Sequence, residues 1–461
     1  MKESNQKRVQ TGDKSDRGKK RKDMGTVERL QLLQRKLYQK AKEDKEYRFY
    51  VLYDKIFLPY VLEEAYKAVK KKGRGPGIDD QTTEEIEGAG KEAFLKDLQE
   101  DLRKRTYRPQ AVKRVWIDKE DGSKRPLGIP TIRDRVVQMA CKMIIEPLFE
   151  ADFEDCSHGF RPKRSAHDAM RQIKEHLKTG KTEVYDADLS KYFDTIPHEK
   201  LKKALEMRIS DPRVLHLIDQ WLKVVVIEEG GKKSGGRKSK TGTPQGGVIS
   251  PLLANIYLHL LDRIVNNPGG LFARHGVKMV RYADDFVLMG ERIEEQCLDK
   301  LNELLKRMEL TINTKKSRLL EARREPFEFL GFEVRYDRSI FKNGTKFWRI
   351  RPSNKSRTRV RQKINAKLKA IGHYPPEAVV LELNPIIRGW VNYFAIDKVS
   401  YMQLDKRMLS DYLRIRLQRY FDRKSQRKSR LHGQQAFVLL TQKYGLINPY
   451  SSSGIRPVNA L

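Results

Sequence analysis

The sequence predicts an α+β protein with a separate helical unit towards its C-terminal end. Three observations carry that prediction: hairpin-like alternation set among helical stretches up to about residue 340, a change to basic amphipathic helices past Arg349, and a length of 461 residues. One hydrophobic core usually stops growing well short of that length, so two or three units are expected. Hydrophobic residues make up 38% of the chain, enough to fill those cores. No run approaches the roughly eighteen uninterrupted apolar residues of a membrane span, so a soluble protein is expected.

Charge narrows the partners. The 95 Lys and Arg against 61 Asp and Glu leave +34, with a pI of about 9.9. Such a surplus calls for a polyanion: nucleic acid first, because cations on its phosphates release condensed counterions, and an anionic membrane second. The start, Met1 to about Arg29, has no apolar centre and does not look like a secretory signal. Cys141, Cys156 and Cys297 are far apart and form no Cys-x-x-Cys pair. That excludes a disulfide framework or a four-cysteine zinc site and fits a reducing, cytoplasmic setting.

Residues 1–58 read as a basic extension. It begins as a flexible electrostatic arm containing Lys19-Lys20-Arg21-Lys22, then turns helical from Thr26 to Leu58 and runs on into Val61 to Lys72. Gly73-Arg74-Gly75-Pro76-Gly77-Ile78-Asp79 is too glycine-rich for an element interior. It is either a mobile loop presenting backbone N–H groups or a simple surface turn. Tyr107 to Ile129 alternates apolar and basic residues around Glu120-Asp121-Gly122-Ser123, a β-hairpin whose turn is flanked by Lys119 and Arg125. Asp134 to Phe149 returns to helical spacing, Thr182 to Leu189 reads as a strand, and His198 to Met207 starts a helix.

Gly230 to Gly242 is a loop or hairpin excursion. Ser250 is expected to cap a helix that begins at Pro251 and carries Leu253, Ile256, Tyr257, Leu260 and Ile264 on one face. From Lys355 to Ile371, Val360, Ile364, Leu368 and Ile371 form one stripe and Arg357, Arg359, Arg361, Lys363, Lys367 and Lys369 cover much of the rest. Helices follow around Pro376 to Phe394 and Tyr401 to Phe421. Residues 426–461 read as a basic tail that ends loosely through Ser451-Ser452-Ser453-Gly454.

The segment Met279 to Met289 has β-rich apolar runs on both sides of Asp284-Asp285, a hairpin with acids at its tip. Adjacent carboxylates in apolar surroundings repel each other and resist desolvation, so a cation beside them is the simplest answer, and oxygen ligands favour Mg²⁺. An ordinary hairpin turn with exposed aspartates is the alternative. A second acidic strand end, Val184-Tyr185-Asp186-Ala187-Asp188-Leu189, shifts the balance. Alternation puts Asp186 and Asp188 on one face, and pairing this strand with the hairpin would bring Asp188 beside Asp284 and Asp285. Three carboxylates can hold two metals about 3.5–4 Å apart, the arrangement that suits nucleotidyl transfer.

These residues carry a resemblance. Tyr282-Ala283-Asp284-Asp285 looks like the catalytic signature of reverse transcriptases, and Asp188-Leu189-Ser190-Lys191-Tyr192-Phe193-Asp194 like their first metal-binding block. Further blocks resemble those of group II intron reverse transcriptases and occur in the right order. They are Lys124 to Pro130, His158-Gly159-Phe160-Arg161-Pro162, Thr243-Pro244-Gln245-Gly246-Gly247, Ser250 to Asn255, and Phe329-Leu330-Gly331-Phe332. The resemblance implies a right-hand polymerase fold, with fingers and palm built on antiparallel sheet over residues 59–340.

By position it implies that Asp188, Asp284 and Asp285 are the catalytic metal ligands, with the Leu189 carbonyl as a further ligand. The metals would be two Mg²⁺ ions, with Mn²⁺ as a substitute. Lys119 and Arg125 would grip the incoming triphosphate, Phe193 would exclude a 2′-hydroxyl, and Gln245 would lie beside the nucleotide, with Gly246-Gly247 permitting close backbone approach. Arg161 and Arg164 would contact template phosphates. Asp186 and Asp194 read as structural or solvent-facing.

Leu383-Asn384-Pro385-Ile386-Ile387-Arg388-Gly389-Trp390-Val391-Asn392-Tyr393-Phe394 resembles the group II intron maturase signature. That implies a helical thumb/maturase domain over 341–425, with Arg357, Arg361, Lys363 and Lys367 on nucleic acid, Trp390 and Phe394 used in helix packing, and Gly389 allowing close helix approach. After Arg430 no cysteine and histidine cluster follows, so no His-Asn-His type endonuclease is expected. The implied partners are an RNA template, a DNA primer, deoxynucleotides, the parent intron RNA and target DNA, with no membrane. Three rival readings remain at this level: an RNA-binding maturase with vestigial synthesis, a domesticated reverse transcriptase serving phage defence or DNA repair, and an RNA-templated polymerase making RNA, against which Phe193 argues.

Overall fold

In a computed structural model of the chain, which describes residues 24–73, 75–118, 122, 124–228, 230–338, 344–371, 374–422 and 433–451, local sequence signals become element boundaries. Thr82 and Glu85 form a reciprocal capping box that starts helix Thr83–Ala89, and Ser165 and Asp168 do the same for helix Ala166–Lys178. The strands in chain order are β1 (Val112–Asp118), β2 (Lys124–Ile129), β3 (Glu183–Asp188), β4 (Val225–Ile227), β5 (Lys233–Gly235), β6 (Lys278–Tyr282), β7 (Asp285–Gly290), β8 (Arg318–Glu321), β9 (Phe327–Phe329), β10 (Phe332–Arg338) and β11 (Lys346–Pro352). Helices and sheets give the mixed α+β content expected, and the strand pairs are antiparallel except β1 with β4, which run parallel and make that sheet a mixed one. Among the described residues no helix is long and apolar enough to cross a membrane.

The chain divides into two compact units, each assembled from three separated stretches. The first takes Met1–Pro162, Leu189–Asn266 and Asp299–Ile312; the second takes Lys163–Asp188, Asn267–Leu298 and Asn313–Leu461.

In the first unit, helix Ile132–Glu150 is buried on nearly every side, including Val136, Val137, Ala140, Cys141, Ile144 and Leu148. Helices Thr26–Glu43 and Pro59–Lys71 pack on it. An all-round apolar pattern is what a central helix requires. The continuous helix expected from Thr26 to Leu58 is interrupted. The Asp44 N–H closes on the Lys40 carbonyl, and Phe49 forms a parallel bridge to Ile209. The Asp211 carboxylate takes the N–H groups of Leu52 and Tyr53 at 2.9 and 3.0 Å.

The basic hairpin is present, with Asp118 opposite Lys124 and Ile117 opposite Arg125; it joins a sheet ordered β2-β1-β4-β5. Its turn residues 119–121 and 123 lie outside the described residues, and so do Arg74, the arm at 1–23 and residues 452–461. Ser250 does not cap its helix. Ile249 is the N-cap, Ser250 is already helical, and its hydroxyl donates to the Pro244 carbonyl at 2.9 Å.

The second unit contains a sheet ordered β6-β7-β3-β8 and a smaller one ordered β11-β10-β9. One apolar core runs between helix Ala166–Lys178 (Ala169, Met170, Ile173), the first sheet (Val184, Val280, Val287) and the second (Phe327, Phe332, Ile350). The helical stripe Val360, Ile364, Leu368 and Ile371 is buried as expected, against Leu383, Ile387 and Val391 of helix Pro376–Phe394 and Leu409, Leu413 and Leu417 of helix Gln403–Asp422. Trp390 and Phe394 do pack in the core, 5.4 Å apart. Gly389 permits no close approach, since a Cβ there would meet open space. Within the stretch expected to be a tail, helix Ala436–Lys443 buries Ala436, Phe437 and Leu440 in this same core.

Candidate active site

Asp188 ends β3 and Asp285 begins β7, and the antiparallel register sets them directly opposite each other. β6 and β7 are joined by Ala283 and Asp284, with Tyr282 paired to Asp285 across the turn. Ala283 holds a left-handed φ of 59°, a conformation that costs a non-glycine residue on the order of 1–3 kcal/mol and persists only where the surroundings enforce it. Arg281 supplies part of that enforcement. It is fully buried and donates from Nη1 to the Ala283 carbonyl at 2.8 Å.

The carboxylates feel one another. Burial, and then the charges of Asp284, Asp188 and Asp186, push the Asp285 carboxyl up to about 7 against the opposing pull of Lys316. Burial raises Asp186 to about 6, with Asp188 and Glu328 adding to the rise and Arg318 resisting it. Asp186 therefore feels the field of the same acidic cluster.

Asp188 is held by residues that the sequence did not single out. Its N–H donates to the Ser317 hydroxyl at 3.1 Å, and its carbonyl accepts from the Asn313 N–H at 2.8 Å. Its Oδ2 accepts from Asn313 Nδ2 at 3.2 Å and lies 3.5 Å from Lys316 Nζ. The only signal for them is a polar turn after the amphipathic helix Glu295–Arg307.

Among the described residues no three of His, Cys, Asp or Glu close a metal cage. An open acidic face still fits a hard divalent cation, because such ions commonly take one or two protein carboxylates and complete their shell with water and substrate phosphates. Leu189 has a buried side chain and bridges Ile312.

In the first unit, Phe193 sits in the short helix Tyr192–Thr195, 7% exposed, edge-on to Tyr192. The Thr243 N–H donates to its carbonyl at 2.7 Å and the Gly242 N–H donates to the Ile196 carbonyl at 2.8 Å, which ties the Gln245 loop to that helix. Gln245 then links two charged groups. Its Oε1 accepts from Arg125 Nε at 3.1 Å and its Nε2 donates to Asp194 Oδ2 at 3.4 Å. Asp194 faces solvent as expected, yet it also orients the glutamine. Gly246 does permit close backbone approach, but to the chain itself: its φ is 113°, and a Cβ would overlap the Gly128 carbonyl oxygen of β2. Lys119 lies outside the described residues.

Arg161 is a correction. It is 7% exposed and pairs with Glu150 at 2.7 Å, its Nη1 donates to the carbonyls of Glu154 and Ser157, and it lies over the Phe153 ring. A guanidinium enclosed in this way is a structural tie and does not reach a template phosphate. Arg164, in the second unit, is partly buried. Of the helix residues, Lys363 is exposed, Arg361 lies over the Tyr412 ring, Arg357 pairs with buried Asp405 at 3.3 Å and Lys367 pairs with Glu382 at 2.7 Å.

Comparison with known proteins assigns both regions. Residues 117–334 match the model for reverse transcriptase (RNA-dependent DNA polymerase), and residues 357–436 match the group II intron, maturase-specific domain. The chain belongs to the group II intron reverse transcriptase/maturase family. It is 36% identical over 348 residues to Protein YkfC of Escherichia coli (strain K12), which covers 67% of this chain and 89% of that protein. It is 31% identical over 363 residues to the group II intron-encoded protein LtrA of Lactococcus lactis subsp. cremoris, covering 65% of this chain and 59% of LtrA. The putative COX1/OXI3 intron 1 protein of Saccharomyces cerevisiae is 27% identical over 325 residues, 59% of this chain and 38% of that protein. The chain thus spans about three fifths of the length of LtrA and less of the yeast protein. Reverse transcriptase domains of this family use divalent metal ions, and nucleic acids such as intron RNA are the partners that the two domains imply.

Proposed function

We propose that the chain is an RNA-directed DNA polymerase that also binds its parent group II intron RNA as a splicing maturase and supports intron mobility. The observation that carries this reading is the facing pair Asp188 and Asp285 beside Asp284, where burial and then the neighbouring carboxylates raise the Asp285 carboxyl and call for a cation. In this reading Asp188, Asp284, Asp285 and the Leu189 carbonyl hold two Mg²⁺ ions. When bound, such ions activate a primer hydroxyl and stabilise a departing pyrophosphate.

The protein's own groups do the positioning. Lys119 and Arg125 grip the deoxynucleotide triphosphate, Gln245 lies along the nucleotide with Arg125 and Asp194 fixing its amide, and Phe193 closes the space that a 2′-hydroxyl would need. Lys316 and Asn313 hold the Asp188 carboxylate in place. Residues 59–340 would form fingers and palm, and the helices of 341–425 a thumb. Arg164 and the basic face around Arg357, Arg361, Lys363 and Lys367 would lie along template and primer, whose phosphates dominate recognition of such duplexes.

The test is primer extension on an RNA template with Mg²⁺ and deoxynucleotides, comparing the natural chain with Asp284→Asn. Loss of extension with an intact fold is expected. Extension that survives the substitution removes the metal assignment.

A further inference from the structure

Outside the residues assigned to polymerisation, the first unit holds a cavity of about 190 Å³. Its floor is aromatic. Tyr53 and Tyr107 line it and are buried, and their hydroxyls are committed elsewhere, to the Leu102 carbonyl at 2.9 Å and to Asp134 at 2.6 Å. What they offer the space is therefore ring surface. Its rim is cationic through Arg105, Arg108 and Arg213, His216 also lines it, and among the described residues no Asp or Glu does.

The arginines are not equally engaged. Arg213 pairs with Asp211 at 3.0 Å and lies over the Tyr53 ring, 5.7 Å from its centre. Arg108 donates from Nη1 to the carbonyls of Arg105 and Tyr107. Arg105 makes no side-chain hydrogen bond or ion pair among the described residues. It also sits at the end of helix Lys91–Lys104 with a left-handed φ of 62°, where glycine is the residue of lowest cost. The left-handed turn closes the helix, with the Arg105 N–H returning to the Asp101 and Leu102 carbonyls, and it leaves the exposed guanidinium at the cationic aromatic cavity without a partner among the described residues.

The cavity's size limits the occupant. Pockets that enclose a drug-sized molecule run to roughly 300–1,000 Å³, so this one has room for a single base-sized planar group. Guanidinium and aromatic planes stack on bases, and arginine pairs with phosphate. We infer that the cavity is a second nucleotide site, taking the base of one unpaired ribonucleotide while Arg105 and Arg108 hold its 5′-phosphate. It shares no residue with the polymerase site. A nucleoside monophosphate can arrive free or as part of a strand, and the +34 charge of the chain favours an unpaired residue of bound RNA.

Equilibrium binding of AMP, adenosine and inorganic phosphate to the full chain in EDTA tests this, in the natural protein and in Arg105→Gly, Arg108→Ala and Arg125→Ala. AMP should bind more tightly than adenosine or phosphate. Arg105→Gly and Arg108→Ala should each weaken it by roughly tenfold, the loss of one charge-assisted hydrogen bond, and Arg125→Ala should leave it unchanged. Because glycine is at ease at φ 62°, Arg105→Gly should keep or raise the melting temperature, which separates lost binding from lost fold. AMP binding indifferent to Arg105→Gly and Arg108→Ala overturns the site, and phosphate binding as tightly as AMP overturns its base-recognising half. An RNA hairpin with one bulged adenosine should outbind the same hairpin fully paired, with the preference lost in Arg105→Gly. Equal affinity for the two hairpins overturns RNA as the source.

Discussion

Replacing Gly246 by alanine tests whether the loop that carries Gln245 works only when seated against β2. At φ 113° the backbone lies where L side chains rarely go, at a cost of roughly 1–3 kcal/mol for a non-glycine residue. The new Cβ would overlap the Gly128 carbonyl oxygen and come within 2.9 Å of Leu127 Cδ1, whereas carbon atoms prefer about 3.5–4.0 Å. The loop must therefore retreat by about 1 Å. That breaks the 2.5 Å bond from the Gly128 N–H to the Gln245 carbonyl, worth about 1 kcal/mol net. It also draws Gln245 away from Arg125, now 3.1 Å distant.

Together these make a local cost of about 2–4 kcal/mol, from the strain and bond terms above. A 1 Å misplacement of a positioning group is worth on the order of a hundredfold in rate. Steady-state primer extension on an RNA template with varied deoxynucleotide should show kcat/KM reduced by about that factor, chiefly through KM. A circular-dichroism melt run in parallel should still show a cooperative fold. A folded Gly246→Ala chain with natural kcat/KM would refute the reasoning.

Three other outcomes follow from the same geometry. Because folding raises the Asp285 carboxyl from 3.8 to about 7, the stability gained by keeping it protonated is full below about pH 4. That stability is lost as pH rises through about 7, so the metal-free melting temperature should fall across that window and Mg²⁺ should restore more of it at pH 8 than at pH 6. A Mg²⁺ effect independent of pH would show that the cation binds elsewhere. Phe193→Val should raise ribonucleotide incorporation relative to deoxynucleotide by roughly tenfold or more, the usual return on reshaping a pocket wall, measured as a ratio of kcat/KM values; an unchanged ratio removes the gate. Arg161→Met should cost about 1.5–3 kcal/mol in urea unfolding, because half-buried Glu150 and the carbonyls of Glu154 and Ser157 lose a charged donor, and a stable variant with weakened template binding would reverse the structural assignment.

What the sequence made legible was short-range or periodic. The strand ends bearing Asp188 and Asp284-Asp285 announce themselves by β-rich apolar flanks, and the stripe from Val360 to Ile371 by its helical spacing. What escaped depends on partners far along the chain. Asp194 meets Gln245 and Asp188 meets Asn313, Lys316 and Ser317 only through the folded chain, and no local pattern marks such pairs. Arg161 was misread because arginine is seldom buried, and its enclosure depends on Glu150 and two carbonyls that a linear reading does not bring together. In β10, Phe332, Val334 and Tyr336 alternate with Glu333, Arg335 and Asp337, yet Glu333, on the polar side of that alternation, is buried against Arg351 at 3.0 Å, which the alternation does not foretell. Helix Ala436–Lys443 was submerged in a basic neighbourhood that reads as tail.

The division of the chain into interleaved stretches has a consequence for its birth on the ribosome. The first unit is not covalently complete until Ile312 has been added. Helix Ile132–Glu150, buried on nearly every side, is made long before helix Ser250–Val265, which packs on it. At about 5–20 residues per second, elongation leaves that surface without its later cover for on the order of ten seconds. A nascent chain released before Ile312 would therefore hold this helix with its earlier partners, Thr26–Glu43 and Pro59–Lys71, but without that later cover, instead of forming a smaller working unit.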